Sequence, residues 1–223
     1  TGNTAINGGG IYVYSNYDDP TFIDVTVTGN TAEEKGGGIY LCCGFTSPIL
    51  THVTITGNTA NESGGIHCGH VAPVLTNVTI ANNMGNEGAG ITIASSSPIL
   101  TNVIAFYNTP QSISVWHGTT LSEPVITYSD IEGGFEGEGN IDEDPLFRDP
   151  ENGSFILQDG SPCIDAGIAD IDGDGTPDIL DYLGLAPDMG AFEYNPSLGD
   201  VNGDLEISIL DIVIMIEIVI EDY

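Results

Sequence analysis

Along its first half the chain alternates apolar and polar residues in short bursts, and each burst is closed by Gly or Asn. In Leu50-Thr51-His52-Val53-Thr54-Ile55-Thr56, Val53 and Ile55 alternate with threonines, which is the period of a half-buried strand. Gly36-Gly37-Gly38-Ile39-Tyr40-Leu41 alternates likewise, with Ile39 and Leu41 as the inward pair. Thr-Gly-Asn-Thr and Gly-Gly runs lie between the bursts and suit corners where φ is positive. No window has a helical period before the last fourteen residues.

The bursts recur. Ile11, Ile39, Ile66 and Ile91 are spaced by 28, 27 and 25 residues, and Pro20, Pro48, Pro73 and Pro98 by 28, 25 and 25. A period in the twenties built of short strands predicts a solenoid. Stacked at about 4.8 Å, such coils make an all-β parallel β-helix. Inward ladders are expected from Val25, Val53, Val78 and Val103, and from Ile11, Ile39, Ile66 and Ile91. A corner ladder of amides is expected from Asn3, Asn30, Asn58, Asn83 and Asn108. The outward pairs Thr26/Thr28 and Thr54/Thr56 stack as T-x-T rows, like those of ice-binding solenoids, but Ala81 and Ile104 end the rows. They read as good strand formers on a solvent face.

Past Asn108 the pattern weakens. Glu123–Ile131 reads as a fifth coil without its Gly-Gly-Ile part, and Ile131–Tyr194 as closing coils and a Gly/Asp-rich cap at the end of the solenoid. Pro196 marks a linker to a short loop–helix segment. The expected organisation is coils over residues 1–130, closing coils and an acidic cap over 131–196, and the loop–helix over 197–223.

Charge changes the picture. The net charge is -31, and Lys35 and Arg148 are the two cations. Phosphate contact needs Lys and Arg, so nucleic-acid binding is excluded, and an anionic membrane would be repelled. Of the 33 acids, residues 1–120 hold 7 and residues 121–223 hold 26. That asymmetry, among many aliphatic residues, points to cation binding by the C-terminal part. Four cysteines in 223 residues make no disulfide framework, and Cys68 falls in the inward slot of Leu41. The chain contains no transmembrane run and no signal peptide, and it opens in mid-repeat. It reads as a fragment of a longer open reading frame, whose bare coil ends could otherwise self-associate edge to edge.

Two stretches carry metal-ligand spacing. In the first, Asp170, Asp172, Asp174, Asp178 and Asp181 stand at positions 1, 3, 5, 9 and 12 of an EF-hand-type loop, with Gly175 at 6 and the Thr176 carbonyl at 7. In the second, Asp200, Asn202, Asp204 and Asp211 hold positions 1, 3, 5 and 12, with the Glu206 carbonyl at 7 and Ser208 at 9. All-oxygen donors at this spacing predict Ca²⁺. Leu205 replaces the usual bend glycine of the second loop, which leads into the apolar run Ile212–Ile220.

These motifs carry resemblances. GNIDEDPLF, GSPCIDAG and DMGAFEY look like the end of secreted bacterial right-handed β-helix proteins of the pectin-lyase-like superfamily, which implies a right-handed parallel β-helix. The GGGI and hydrophobic-x-x-Asn elements (Val27 to Asn30, Ile55 to Asn58, Ile80 to Asn83) are similar to the repeats of polymorphic outer-membrane adhesins, with an aliphatic where those carry Phe. Residues 198–223 resemble the first half of a type I dockerin, which implies docking to a cohesin-type module or cell-surface scaffold. The implied role is adhesion, carbohydrate binding or scaffold assembly at the cell surface or outside the cell, with calcium as cofactor and no catalysis in this segment. The alternative is part of a polysaccharide lyase or glycoside hydrolase of a cellulosome-like system. Against it, neither Lys35 nor Arg148 has the neighbours of a lyase base, and Asp18, Asp19 and Asp24 lack a companion catalytic motif. The histidines His52, His67, His70 and His117 read as structural, His52 sharing a slot with Asp24, Asn77 and Asn102.

Overall fold

A computed structural model of the chain describes residues 1–14, 19–44, 47–117 and 121–195. The first turns contain β1 (Thr4–Asn7), β2 (Ile11–Tyr14), β3 (Thr21–Ile23) and β4 (Thr26–Thr28). The next contains β5 (Thr31–Lys35), β6 (Ile39–Cys42), β7 (Ile49–Thr51) and β8 (Thr54–Thr56). Two turns follow with β9 (Ile66–Gly69) and β10 (Val74–Ala81), then β11 (Ile91–Ala94) and β12 (Ile99–Phe106). The last holds β13 (Ile113–Trp116), β14 (Val125–Thr127) and β15 (Asp130–Ile131), and the C-terminal region adds β16 (Phe147–Asp149) and β17 (Ser154–Leu157).

Apart from β16 and β17, which form an antiparallel pair of their own, these strands stack in parallel as a β-solenoid. One sheet runs β2-β6-β9-β11-β13, a second runs β3-β7-β10-β12-β14, and β4, β8 and β15 pair with the far halves of β10 and β12 or with each other. The register is that of the repeat: Ile11↔Ile39↔Ile66↔Ile91↔Ile113 is one inward ladder, and Leu41↔Cys68 is in the next. Ile39, Ile66, Val53, Val78 and Val103 are fully buried, whereas Ile11 and Val25 of the first coil are partly exposed. Among the described residues no helix is long and apolar enough to cross a membrane.

Two corners recur in every turn. At the first, Asp24, His52, Asn77, Asn102 and Tyr128 all adopt the left-handed conformation, with φ between 48° and 55°. At the second, Gly29 and Gly57 (φ 64° and 62°) precede the asparagine ladder, and Asn82 and Tyr107 take the same conformation without glycine. The ladder forms as expected. Asn30, Asn58 and Asn83 each donate from Nδ2 to Oδ1 of the next asparagine at 3.0 Å, and that oxygen also accepts the backbone N–H above it.

The ladder also explains the glycine pairs. A Cβ placed on Gly38 would sit 3.0 Å from Nδ2 of Asn58 and 2.9 Å from the Gly65 carbonyl, and one on Gly10 would sit 2.9 Å from Nδ2 of Asn30. The glycine before Ile11, Ile39, Ile66 or Ile91 and the asparagine at the far corner are therefore two halves of one contact that leaves no room for a Cβ.

The C-terminal region departs from the expected end cap. Residues 132–140 do close the last coil, with Phe135 against the main core and Asn140 donating to the Ile126 carbonyl at 2.8 Å. The remainder packs along the side of the shaft. Phe147, Phe155, Leu157, Cys163 and Met189 form a second core with Ala81, Ile104 and Phe106, residues on or beside the outer face of β10 and β12. Beyond the first rung, where Thr26 is exposed, the threonine rows consequently do not lie on a free solvent face: Thr54, Thr56 and Thr79 are buried, and Ala191 N donates to Thr79 Oγ1 at 2.9 Å. Replacement of the third and fourth rungs by Ala81 and Ile104, which ends the T-x-T pattern, supplies the apolar surface on which this flank sits.

Candidate functional site

The first acidic loop grows out of the flank's anchor on the shaft. Ile168 N donates to Asn102 Oδ1 at 2.8 Å, and Asn102 Nδ2 donates to the Ile168 carbonyl at 2.9 Å. The next residue, Ala169, accepts N–H bonds from Asp178 (2.8 Å) and Ile179 (3.0 Å), which pinches the loop shut at its base. Within it, Asp170 accepts from Gly173 N and Gly175 N at 2.9 and 2.8 Å, Asp172 from Asp174 N at 3.0 Å, and Asp174 from Thr176 N at 2.7 Å. Gly173 and Gly175 have φ of 72° and 89°, so the bend needs residues without a Cβ.

This folding brings one carboxylate oxygen from each of Asp170, Asp172 and Asp174 within 4.8 Å of one another. Three anions so close repel, and each keeps acceptor capacity beyond its N–H bonds. A hard divalent cation with oxygen preference fits that donor set. Asp178 spends Oδ2 on the N–H groups of Ile171 and Asp172, at 2.8 and 3.3 Å, and so braces the loop. Asp181 is not in the convergent group; it lines a groove against the shaft. No helix flanks the loop, so the likeness to an EF-hand stops at ligand spacing. The second loop, with Asp200, Asn202, Asp204, Glu206, Ser208 and Asp211, and the run Ile212–Ile220 lie outside the described residues.

GSPCIDAG and DMGAFEY prove to be the two strips that lock the flank together. Met189 N donates to the Cys163 carbonyl at 3.0 Å, and Asp188 accepts from Asp165 N and Tyr194 N at 2.8 and 2.5 Å. Asn77 Nδ2 reaches the Asp188 carbonyl at 3.4 Å, and Gly190 N bonds the Asn102 carbonyl at 2.8 Å. Burial pushes the Asp188 and Glu193 carboxyls above the ordinary range. Asp130 of β15 is fully buried under the same flank, where desolvation drives its carboxyl up to about 7. It accepts the Cys163 thiol at 3.3 Å and Glu143 N at 3.2 Å. Sequence reasoning missed this group: Asp130 stands in register with Ile104, an outward slot that is buried only because the flank covers it, so no signal in the strand pattern marked it.

The other candidates have structural partners. Lys35 pairs with Glu62 at 2.9 Å, and Asp19 accepts Ser47 N at 2.6 Å, while Asp18 lies outside the described residues. His67 is buried, 3.2 Å from Ser63 Oγ and stacked on Tyr40, which stacks on Tyr12; burial lowers its pKa to about 4. Cys42 and Cys43 are joined in a vicinal disulfide that cross-links no coils. Cys68 is a buried inward residue whose thiol burial pushes up to about 12.

Comparison with known proteins agrees with this geometry over one stretch. Residues 24–41 match the model of the Chlamydia polymorphic membrane protein repeat. That stretch runs from the Asp24 corner through Asn30 and the Gly36–Gly38 turn into β6, and so contains the asparagine of one Gly–Asn contact and the glycine of the next, their partners being Gly10 and Asn58. No curated protein and no solved structure matches the chain. Repeat, ladder and parallel register together make this chain a parallel β-helix repeat protein.

Proposed function

We propose that the chain is a cell-surface or extracellular β-helix shaft that serves adhesion or scaffold assembly, with no catalysis in this segment, and that Ca²⁺ holds its flank in place. The observation that carries this reading is the convergence of Asp170, Asp172 and Asp174 two residues beyond the Asn102–Ile168 anchor. Asp170, Asp172 and Asp174 would hold the ion, with Asp178 and the Thr176 carbonyl nearby. Bound calcium supplies charge: it neutralises three like carboxylates in a molecule of net charge -31. The chain's own residues supply the rest, since Ala169, Gly173 and Gly175 shape the loop and Asn102 ties it to the shaft. The name of the matched repeat, that of a membrane protein, supports placement at a surface. The dockerin likeness of residues 198–223 supports attachment to a cohesin-type partner.

Calorimetric titration with Ca²⁺ tests the reading. One site is expected in the described loop, lost in Asp172→Asn when the second loop is inactivated by Asp200→Asn and Asp204→Asn. Unchanged binding in Asp172→Asn on that background would overturn it.

A further inference from the structure

The ladder of left-handed corner residues changes chemistry along the shaft. Where the flank covers the corner the residues are Asn77 and Asn102, and both amides bond to it. In the first two turns they are Asp24 and His52, whose side chains are 78% and 39% exposed and 3.7 Å apart. The backbone does not require this change, because asparagine serves the same φ in the next two turns, at Asn77 and Asn102. Asp24 and His52 line one wall of a groove of about 340 Å³, with Thr54 below them and Asp181, Phe192 and Glu193 of the flank opposite.

We infer that this groove binds an uncharged oligosaccharide; the inference deepens the adhesion reading and rests on it. Its volume is at the small end of ligand clefts, which run from about 300 to 1,000 Å³, and it is open enough to seat a short stretch of a longer glycan. The walls combine carboxylates and an imidazole, which pair with hydroxyl groups, and a partly exposed aromatic ring, which takes the apolar C–H face of a sugar. Acidic glycans are selected against. The lining holds no Lys or Arg, and Arg148 stands on the other side of the Ala191–Glu193 strip. A polyuronate would enter a wall of carboxylates in a molecule already strongly negative. Glu193 is fixed in the wall by the N–H groups of Asp188 and Leu183, at 3.0 and 3.3 Å, so the site is held in shape before a ligand arrives.

The test is calorimetric titration of the intact chain, with calcium present, using neutral gluco-, manno- and xylo-hexaoses and hexagalacturonate as the anionic control. At least one neutral hexaose should bind, with hexagalacturonate weaker by tenfold or more. Phe192→Ala and His52→Asn should each weaken binding by about tenfold, while Trp116→Ala, on another sheet, should not. His52→Asn keeps the corner backbone, since Asn77 holds the same slot, and so serves where Phe192→Ala disturbs the flank. Binding of none of the neutral hexaoses at millimolar concentration would overturn the proposal, as would equal binding of hexagalacturonate or full affinity in His52→Asn. Loss of the calcium response with saccharide binding intact would count against the calcium-held flank and leave the groove standing.

Discussion

Asn102 holds Ile168 by both edges of its side-chain amide, at 2.8 and 2.9 Å, across 66 residues of chain. The shaft thereby fixes the residue two positions before Asp170, so the acidic loop is born on a rigid element although it is exposed.

Asn102→Ala removes both bonds and places alanine at a φ of 55°, a conformation costing about 1–2 kcal/mol for a residue with a Cβ. A loss of roughly 3 kcal/mol is expected once the unpaired Ile168 groups are included. Hydrogen exchange should show residues 163–195 losing protection first while β9 to β12 keep theirs. Simultaneous loss over both regions would mean that the contact does not act as a clamp.

The Gly–Asn contact predicts two costly substitutions in one turn. Asn58→Ala leaves Asn30 N and the Val27 carbonyl without their buried partners, for about 3 kcal/mol or more. Gly38→Ala drives a methyl group into the Gly65 carbonyl and Asn58, for about 1–3 kcal/mol. Urea unfolding measures both, and Asn3→Ala, at an exposed rung of the ladder, should cost less than Asn58→Ala.

Asp130 predicts a pH dependence. Its folded carboxyl sits near 7 against 3.8 when unfolded, because burial disfavours the charge and Asp142 and Glu143 add repulsion. The folded state therefore binds the extra proton, and this stabilisation is complete below about pH 4 and lost as pH rises to about 7. Asp130→Asn removes the titration. The stability of the native chain minus that of Asp130→Asn should fall between about pH 4 and pH 7, and parallel curves would contradict the assignment. His67 titrates in the opposite sense, losing stability as pH falls from 6.5 towards 4, but it cancels in this difference.

The ion pair of Lys35 with Glu62 ties up one of the two cations on which a lyase base could draw. Incubation with pectate, alginate or chondroitin should yield no unsaturated uronate absorbance. A growing absorbance that survives purification would restore the enzymatic reading.

The shaft was legible because its information is periodic. Ile39, Val53 and Asn58 each recur at intervals of 25 to 28 residues, and stacking turns such an interval directly into a ladder. The direction of the flank was not legible. Phe147, Phe155 and Met189 recur at no interval, and their docking surface, Ala81 and Ile104, read only as an interruption of the threonine rows. Within the acidic loop, spacing identified Asp170, Asp172 and Asp174, which converge. It could not foresee that Asp178 bonds to backbone N–H groups or that Asp181 faces the shaft, because both depend on where the loop is anchored.

The central claim is that calcium at the Asp170 loop holds the flank to the shaft, and calorimetric melting in Ca²⁺ against EDTA tests it most directly. Ligand binding to the folded state alone raises stability by about 2.7 kcal/mol at a hundred times the dissociation constant. The melting temperature should therefore be several degrees higher in Ca²⁺, with the increment reduced in Asp172→Asn. Identical melting temperatures in Ca²⁺ and EDTA would contradict the account.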